Sequence, residues 1–171
     1  MDGGSIPPSS TMRRLCAALM LLAACGGDAT NVPSSCPQGE FLAAVNGYVE
    51  GSVFIDTPWE PAPDTDLAAA IDAGGIACSY DIHDAEVGAT VLWSTADAFA
   101  SRRAQWQADG QVRVEVAGAD EAWALQATNG SDTHLWALNL LVGDAWIHIG
   151  ATFLPDLDAA RPLIDAAVAE V

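Results

Sequence analysis

The stretch EAWALQATNGSDTHLWALNLLVGDAWIHIGATF, residues 121–153, decides the fold. Ala122–Thr128 and Asp132–Val142 flank Asn129-Gly130, a dipeptide whose tolerance of positive φ suits a two-residue hairpin turn. Pairing outward from that turn sets Trp123 opposite Trp136 and Leu125 opposite His134. Gly143-Asp144 then returns Ala145–Phe153, with Leu140 facing Ile147 and Leu138 facing Ile149. Side chains alternate across a strand. One face is therefore expected to carry Trp123, Leu125, Trp136, Leu138, Leu140, Val142, Ile147, Ile149 and Phe153. The other receives Leu135, Asn139, Leu141, Trp146, His148, Gly150 and Thr152.

Working outward, Val112, Val114 and Val116 alternate with Arg113 and Glu115, the pattern of a half-buried strand. Ile76–His83 and Val87–Thr95 read as strands around Asp84-Ala85-Glu86, with Cys78 aimed inward beside Ile76, Tyr80 and Ile82. Val53–Ile55 is a further short strand, followed by the proline-broken segment that holds Trp59. Four helices are expected. The first is capped by Ser35, with Pro37 in its first turn and Phe41, Leu42 and Val45 on its apolar face. The second is capped by Asp66 and stopped at Gly74-Gly75. The third is capped by Asp97, carries Arg102 and Arg103, and buries Phe99 and Trp106. The fourth spans residues 157–171 and places Leu163, Ile164 and Ala167 on one stripe; Pro162 fits only if the helix begins near it. Strand, turn, strand and helix follow one another over residues 76–108 and again over 134–171. The expected fold class is α+β: a mostly antiparallel sheet of about six strands with helices packed on one face.

The chain is strongly acidic, with 23 Asp and Glu against 6 arginines and no lysine, a formal charge of −17. Such a surface repels nucleic acid, whose affinity comes from basic side chains that neutralise phosphates. It also repels anionic lipid headgroups.

At the N-terminus, Met12-Arg13-Arg14 precedes the apolar run Leu15–Leu22. That run is too short to span a bilayer, which takes about 20 residues. A basic start, a short apolar core and a small-residue cleavage site mark a secretory signal peptide over residues 1–24, with Met12 expected as the true start. The signal ends in Leu22-Ala23-Ala24-Cys25, which resembles the lipobox of bacterial lipoproteins cut by signal peptidase II. The resemblance implies that Cys25 becomes the mature N-terminus and carries a thioether-linked diacylglycerol, usually with a further acyl chain such as palmitate on its amine. One chain alone holds a membrane marginally and several hold it firmly. Residues 25–35 then read as a lipidated cysteine and polar tether, and residues 36–171 as a single domain. The overall layout resembles small secreted lipoproteins of unknown function from high-GC bacteria. The residues that carry this are Leu22–Cys25, Cys36 with Cys78, the run Gly74–Tyr80 and the run Gly118–Trp123. The resemblance implies a location and a fold, and no activity.

Cys36 and Cys78 are the two cysteines left to the domain. An exported domain keeps disulfides, and bridging these two would close a loop worth roughly 4 kcal/mol by chain entropy. The competing reading, a zinc site, needs four close ligands, of which these two supply half.

No nucleophile elbow, phosphate-binding loop or His-Glu-x-x-His motif is present. Asp81, His83, Asp84 and Glu86 form the densest cluster of metal-type ligands, but their spacing matches no defined ion-binding loop, and the expectation is no metal and no cofactor. Asn139, Trp146 and His148 are the candidate binding surface, an apolar and polar mixture on the second sheet face, unless a helix covers it. These readings converge on an exported protein, lipid-anchored to the outer face of the cell membrane or to the outer membrane. Its expected role is a non-enzymatic binding, sensing or structural module whose partner is an envelope protein or small ligand. The alternatives are a small-molecule or lipid carrier with a pocket between sheet and helices, and an undetected hydrolase.

Overall fold

A computed structural model of the chain describes residues 32–82, 87–129 and 132–171, besides Met1. Seven strands form one sheet: β1 (Val53–Ile55), β2 (Ile76–Asp81), β3 (Gly88–Thr95), β4 (Val112–Val114), β5 (Glu121–Asn129), β6 (Asp132–Val142) and β7 (Ala145–Ala151). Their order across the sheet is β1-β2-β3-β7-β6-β5-β4, and every neighbouring pair is antiparallel. The helices are α1 (Glu40–Asn46), α2 (Asp66–Asp72), α3 (Ala96–Ala108) and α4 (Arg161–Val168). The α+β class is the expected one, with seven strands where about six were expected. Among the described residues, no helix is long and apolar enough to cross a membrane.

The sheet is covered on both faces. Phe41 and Val45 of α1 and Leu163, Ile164 and Ala167 of α4 pack with Cys78, Tyr80, Val91, Trp93, Leu138, Leu140, Ile147 and Ile149. Leu67 and Ala70 of α2 and Ala98, Phe99 and Trp106 of α3 pack with Ala77, Leu92, Trp123, Leu141 and Trp146. The reason lies in the strands: β3 puts Val91 and Trp93 on one side and Leu92 on the other, all at most 2% exposed. A sheet apolar on both faces needs two layers of cover. The expectation of helices on a single face is corrected accordingly.

Cys36 and Cys78 are bonded, with S–S 2.03 Å and Cα atoms 5.6 Å apart. The bridge and a hydrogen bond from Tyr80 Oη to the Pro37 carbonyl hold the segment before α1 against β2. That segment is not helical, so α1 begins at Glu40 rather than directly after Ser35. Pro162 stands in the first turn of α4, where its missing N–H costs nothing. Gly75 lies between α2 and β2, where a Cβ would sit 2.3 Å from the Trp93 carbonyl oxygen, so only glycine lets α2 come this close to β3.

The second hairpin has the expected register, Leu140 with Ile147 and Leu138 with Ile149. The first does not. Asn129 pairs with Asp132 and therefore belongs to β5, which slides the strands by two positions. A bulge follows between Leu125 and Gln126, opposite which Trp136 is the extra residue, and Trp123 pairs with Asn139. An odd shift exchanges the faces. Leu135 and Leu138, three apart, are thus both buried in the α1/α4 layer, while Trp123 packs in the α2/α3 layer. Trp136, expected in the core, is 40% exposed.

Candidate functional site: a polar cluster beneath the second helix layer

The α2/α3 layer encloses charged and amide side chains among its tryptophans. Local capping sets this up. Thr65, not Asp66, caps α2 by accepting from the Ala68 N–H at 3.1 Å, and Thr95, not Asp97, caps α3 by accepting from Ala98 N–H at 3.3 Å. Asp66 is thereby released from capping and turns its carboxylate to α3. On α3, Arg102 and Trp106 lie one turn apart and share a face. Arg102 Nε donates to Asp66 Oδ1 at 2.7 Å, and Trp106 Nε1 donates to the same carboxylate at 2.8 and 2.9 Å. The side chains of Arg102 and Asp66 are 14% and 17% exposed.

The sheet supplies the rest. β6 and β7 place Asn139 directly beside His148. Trp146 Nε1 donates to Asn139 Oδ1 at 2.9 Å. An indole only donates, which fixes that amide atom as the oxygen. His148 Nδ1 lies 2.9 Å from the same oxygen and must therefore carry the proton, leaving Nε2 as an acceptor. Asn139 Nδ2 donates onward to Gln111 Oε1 at 3.1 Å. His148 Nδ1 is also 3.8 Å from Asp66 Oδ2, which links the two halves of the cluster. Burial pushes the imidazole pKa down, and the nearby Asp66 carboxylate opposes that only in part. Burial thus favours the neutral ring.

No family model, curated protein or solved structure matches this chain.

A second ion pair closes the outer side of the layer. Arg103 forms a two-pronged contact with Glu121, Nε and one terminal nitrogen each at 2.9 Å, and its guanidinium lies 5.1 Å from the Phe99 ring centre. Trp123 Nε1 donates to Glu121 at 2.7 Å. The Arg103 hydrogen bonds hold the Glu121 carboxyl below the usual carboxylate range, against the opposing effect of partial burial.

The structure thus brings Asn139, Trp146 and His148 together by direct hydrogen bonds. It also buries them: Asn139 and Trp146 have no exposed surface, and the His148 side chain retains 16%. They form an internal network under α2 and α3 rather than an open recognition face, because those helices cover it. Of the metal-type candidates, Asp81 accepts from Ser79 Oγ at 3.3 Å on β2, while His83, Asp84 and Glu86 lie outside the described residues. Among the described residues no group of three or more His, Cys, Asp and Glu could hold a metal ion. Cys25 also lies outside them.

Sequence reasoning missed Asp66, Arg102 and Gln111 as members of the cluster. A signal existed for Asp66: Thr65, just before the helix, can itself cap it and leave the aspartate free. Nothing in the linear sequence joins Asp66 to residues 36 and 82 positions later.

Proposed function

We propose that this chain is an exported, lipid-anchored protein of the bacterial envelope whose domain acts as a non-enzymatic binding, sensing or structural module. The observation that carries the reading is Leu22-Ala23-Ala24-Cys25 at the end of a basic and then apolar leader. The Cys36–Cys78 disulfide supports it, since such bonds persist in oxidising compartments. Acyl chains on Cys25 would supply the membrane attachment that so acidic a surface cannot supply by charge. Residues 26–35 would then let the domain stand off by at most about 35 Å when fully extended.

Packing favours a module that acts through its surface over a carrier. Phe41, Trp93 and Leu163 fill the space between sheet and helices on one side, and Phe99, Trp106 and Trp146 fill it on the other. The histidine cluster is spent on holding itself together, with the Nδ1 proton of His148 committed to Asn139.

The test is expression of the full chain in a bacterium, followed by detergent phase partitioning and mass analysis of the N-terminal peptide. The reading expects the protein in the detergent phase, with lipid mass on Cys25 and loss of both in Cys25→Ser. A water-phase protein with an unmodified residue 25 overturns it.

A further inference from the structure

The chain reaches its first helix through a strap. Residues 32–39 run without helix or strand to Glu40, where α1 begins. Val32 and Cys36 pack, half-buried, against the α1/α4 core, Tyr80 Oη donates to the Pro37 carbonyl, and the Cys36–Cys78 bond fastens the strap to β2. Ser34, Ser35, Gln38 and Gly39 are exposed. One hydrogen bond and two half-buried apolar contacts do not offset the conformational entropy of ordering the whole strap. The disulfide is what keeps it down.

The strap stands between the domain and Cys25. With it seated, the free leash from Cys25 to Val32 is residues 26–31, which span at most about 24 Å. With it released, the leash runs to Glu40 and spans at most about 52 Å. β2 stands next to one edge of the sheet, and β4 forms the other edge, five strands away. At the usual strand spacing that is roughly 24 Å. A short leash fastened at β2 therefore keeps the β1–β2 side toward the anchor and presents the β4 edge outward. A chain of net charge −17 is repelled by anionic headgroups, so the length of the leash becomes the height of the domain.

We propose that the Cys36–Cys78 bond is a redox-sensitive catch that sets the height and orientation of the domain at the membrane. This rests on the lipid-anchor reading above. The reductant is a dithiol. Its thiolate attacks Cys36 Sγ, on the less buried of the two residues, since Cys78 is 1% exposed. Cys78 leaves as a thiolate and takes up a proton. The second thiolate of the reductant then displaces Cys36 from the mixed disulfide, and Cys36 is protonated in turn. The protein ends with two thiols and the reductant with one disulfide. Cys78 stays in the core as a small apolar group, α1 stays on the sheet through Phe41 and Val45, and residues 32–39 join the leash.

The experiment places the full acylated chain on a supported bilayer of phosphatidylcholine and phosphatidylglycerol. Neutron reflectometry reads the height of the domain before and after dithiothreitol. Reduction should raise it by roughly 7 Å or more, the relaxed-coil difference between the two leash lengths. Cys36→Ala should start at the raised height and ignore the reductant. A variant with an eight-residue Gly-Ser insert after Asp28 keeps the bond and should stand as high when oxidised as the reduced wild type, which ties height to leash length without touching the domain. Circular dichroism should stay native on reduction. An unchanged height after reduction overturns the proposal, and so does loss of the near-ultraviolet signal, because the bond would then hold the fold and not the strap. A chain that does not stay on the bilayer at all overturns the anchor reading and this proposal with it, whereas a bound domain of fixed height overturns this proposal alone.

Discussion

The two sides of the sheet solve the same packing problem with different chemistry. The α1/α4 layer is dry: Leu138, Leu140, Ile147 and Leu163 are wholly buried, and Trp93 satisfies its single N–H on the Ala167 carbonyl. The α2/α3 layer buries a comparable aromatic mass, with Phe99, Trp106 and Trp146 at most 1% exposed, around Asp66, Arg102, Asn139, Gln111 and His148. A dry layer tolerates rearrangement as long as volume is kept. A polar layer does not, because each buried donor or acceptor that loses its partner keeps the full cost of its desolvation. The first layer supplies stability. The second specifies how α2 and α3 sit, through contacts made only in one arrangement.

The largest break in this comparison is expected in the dry layer. Leu138 lies on β6, beside the central strand, with no exposed surface, so Leu138→Ala removes buried methyl groups and leaves a cavity. A loss of about 4 kcal/mol is expected in urea unfolding. Its pH dependence should stay that of the wild type, since no titrating group is touched. A loss below about 1 kcal/mol would mean that the layer is not packed as described.

The dry layer was legible in the sequence and the polar layer was not. Alternation in Leu138–Val142 and Ala145–Ile149 settles which residues share a face, and Gly143-Asp144 fixes the register without insertion, so the second hairpin could be read directly. The first hairpin could not, because a bulge has no side-chain signature. Leu-Trp-Ala-Leu over residues 135–138 reads as plain alternation until one residue is taken out of step. The candidate trio Asn139, Trp146 and His148 was legible as a group because β6 and β7 pair in register. Its burial was not, because covering it depends on α2 and α3, whose approach is set by Asp66 meeting Arg102 and Trp106. That is a tertiary contact with no local trace.

A smaller loss is expected from breaking the polar layer at its hub. Asn139→Ala leaves the Trp146 and His148 N–H groups and the Gln111 oxygen without the amide that serves all three. Each stranded group costs about 1–3 kcal/mol when buried, but His148 keeps some access to water, so a net loss of about 2–3 kcal/mol is expected. Near-ultraviolet circular dichroism should report the released Trp146. The contrast with Leu138→Ala is qualitative. Asn139→Ala should also alter the titration of His148, because the acceptor that fixes its Nδ1 proton is gone. An unchanged imidazole titration in the variant would show that the amide does not set the state of the ring.

The gentlest test uses protons alone. His148 has a lowered pKa in the folded protein, chiefly from burial. Above about pH 6.5, the ordinary imidazole value, the ring is neutral whether folded or unfolded and contributes no pH dependence. As the pH falls below that value, the unfolded chain takes up a proton that the folded protein refuses, and stability declines until the folded pKa is also passed. The slope from one such group cannot exceed about 1.4 kcal/mol per pH unit. Glu121 acts in a separate and more acidic window: its stabilisation is present above the ordinary carboxylate pKa and is lost as the pH falls through its lowered folded value. Urea midpoints between pH 7 and pH 5 therefore stay clear of the Glu121 window, and comparison with a His148 variant isolates this histidine from the others. The wild type should lose stability over that interval more steeply than His148→Gln, whose side chain can still donate to Asn139 but cannot titrate. Equal slopes would mean that the cluster does not bury the ring deeply enough to bias its protonation, and the distinction between the two layers would then rest on hydrogen bonding alone.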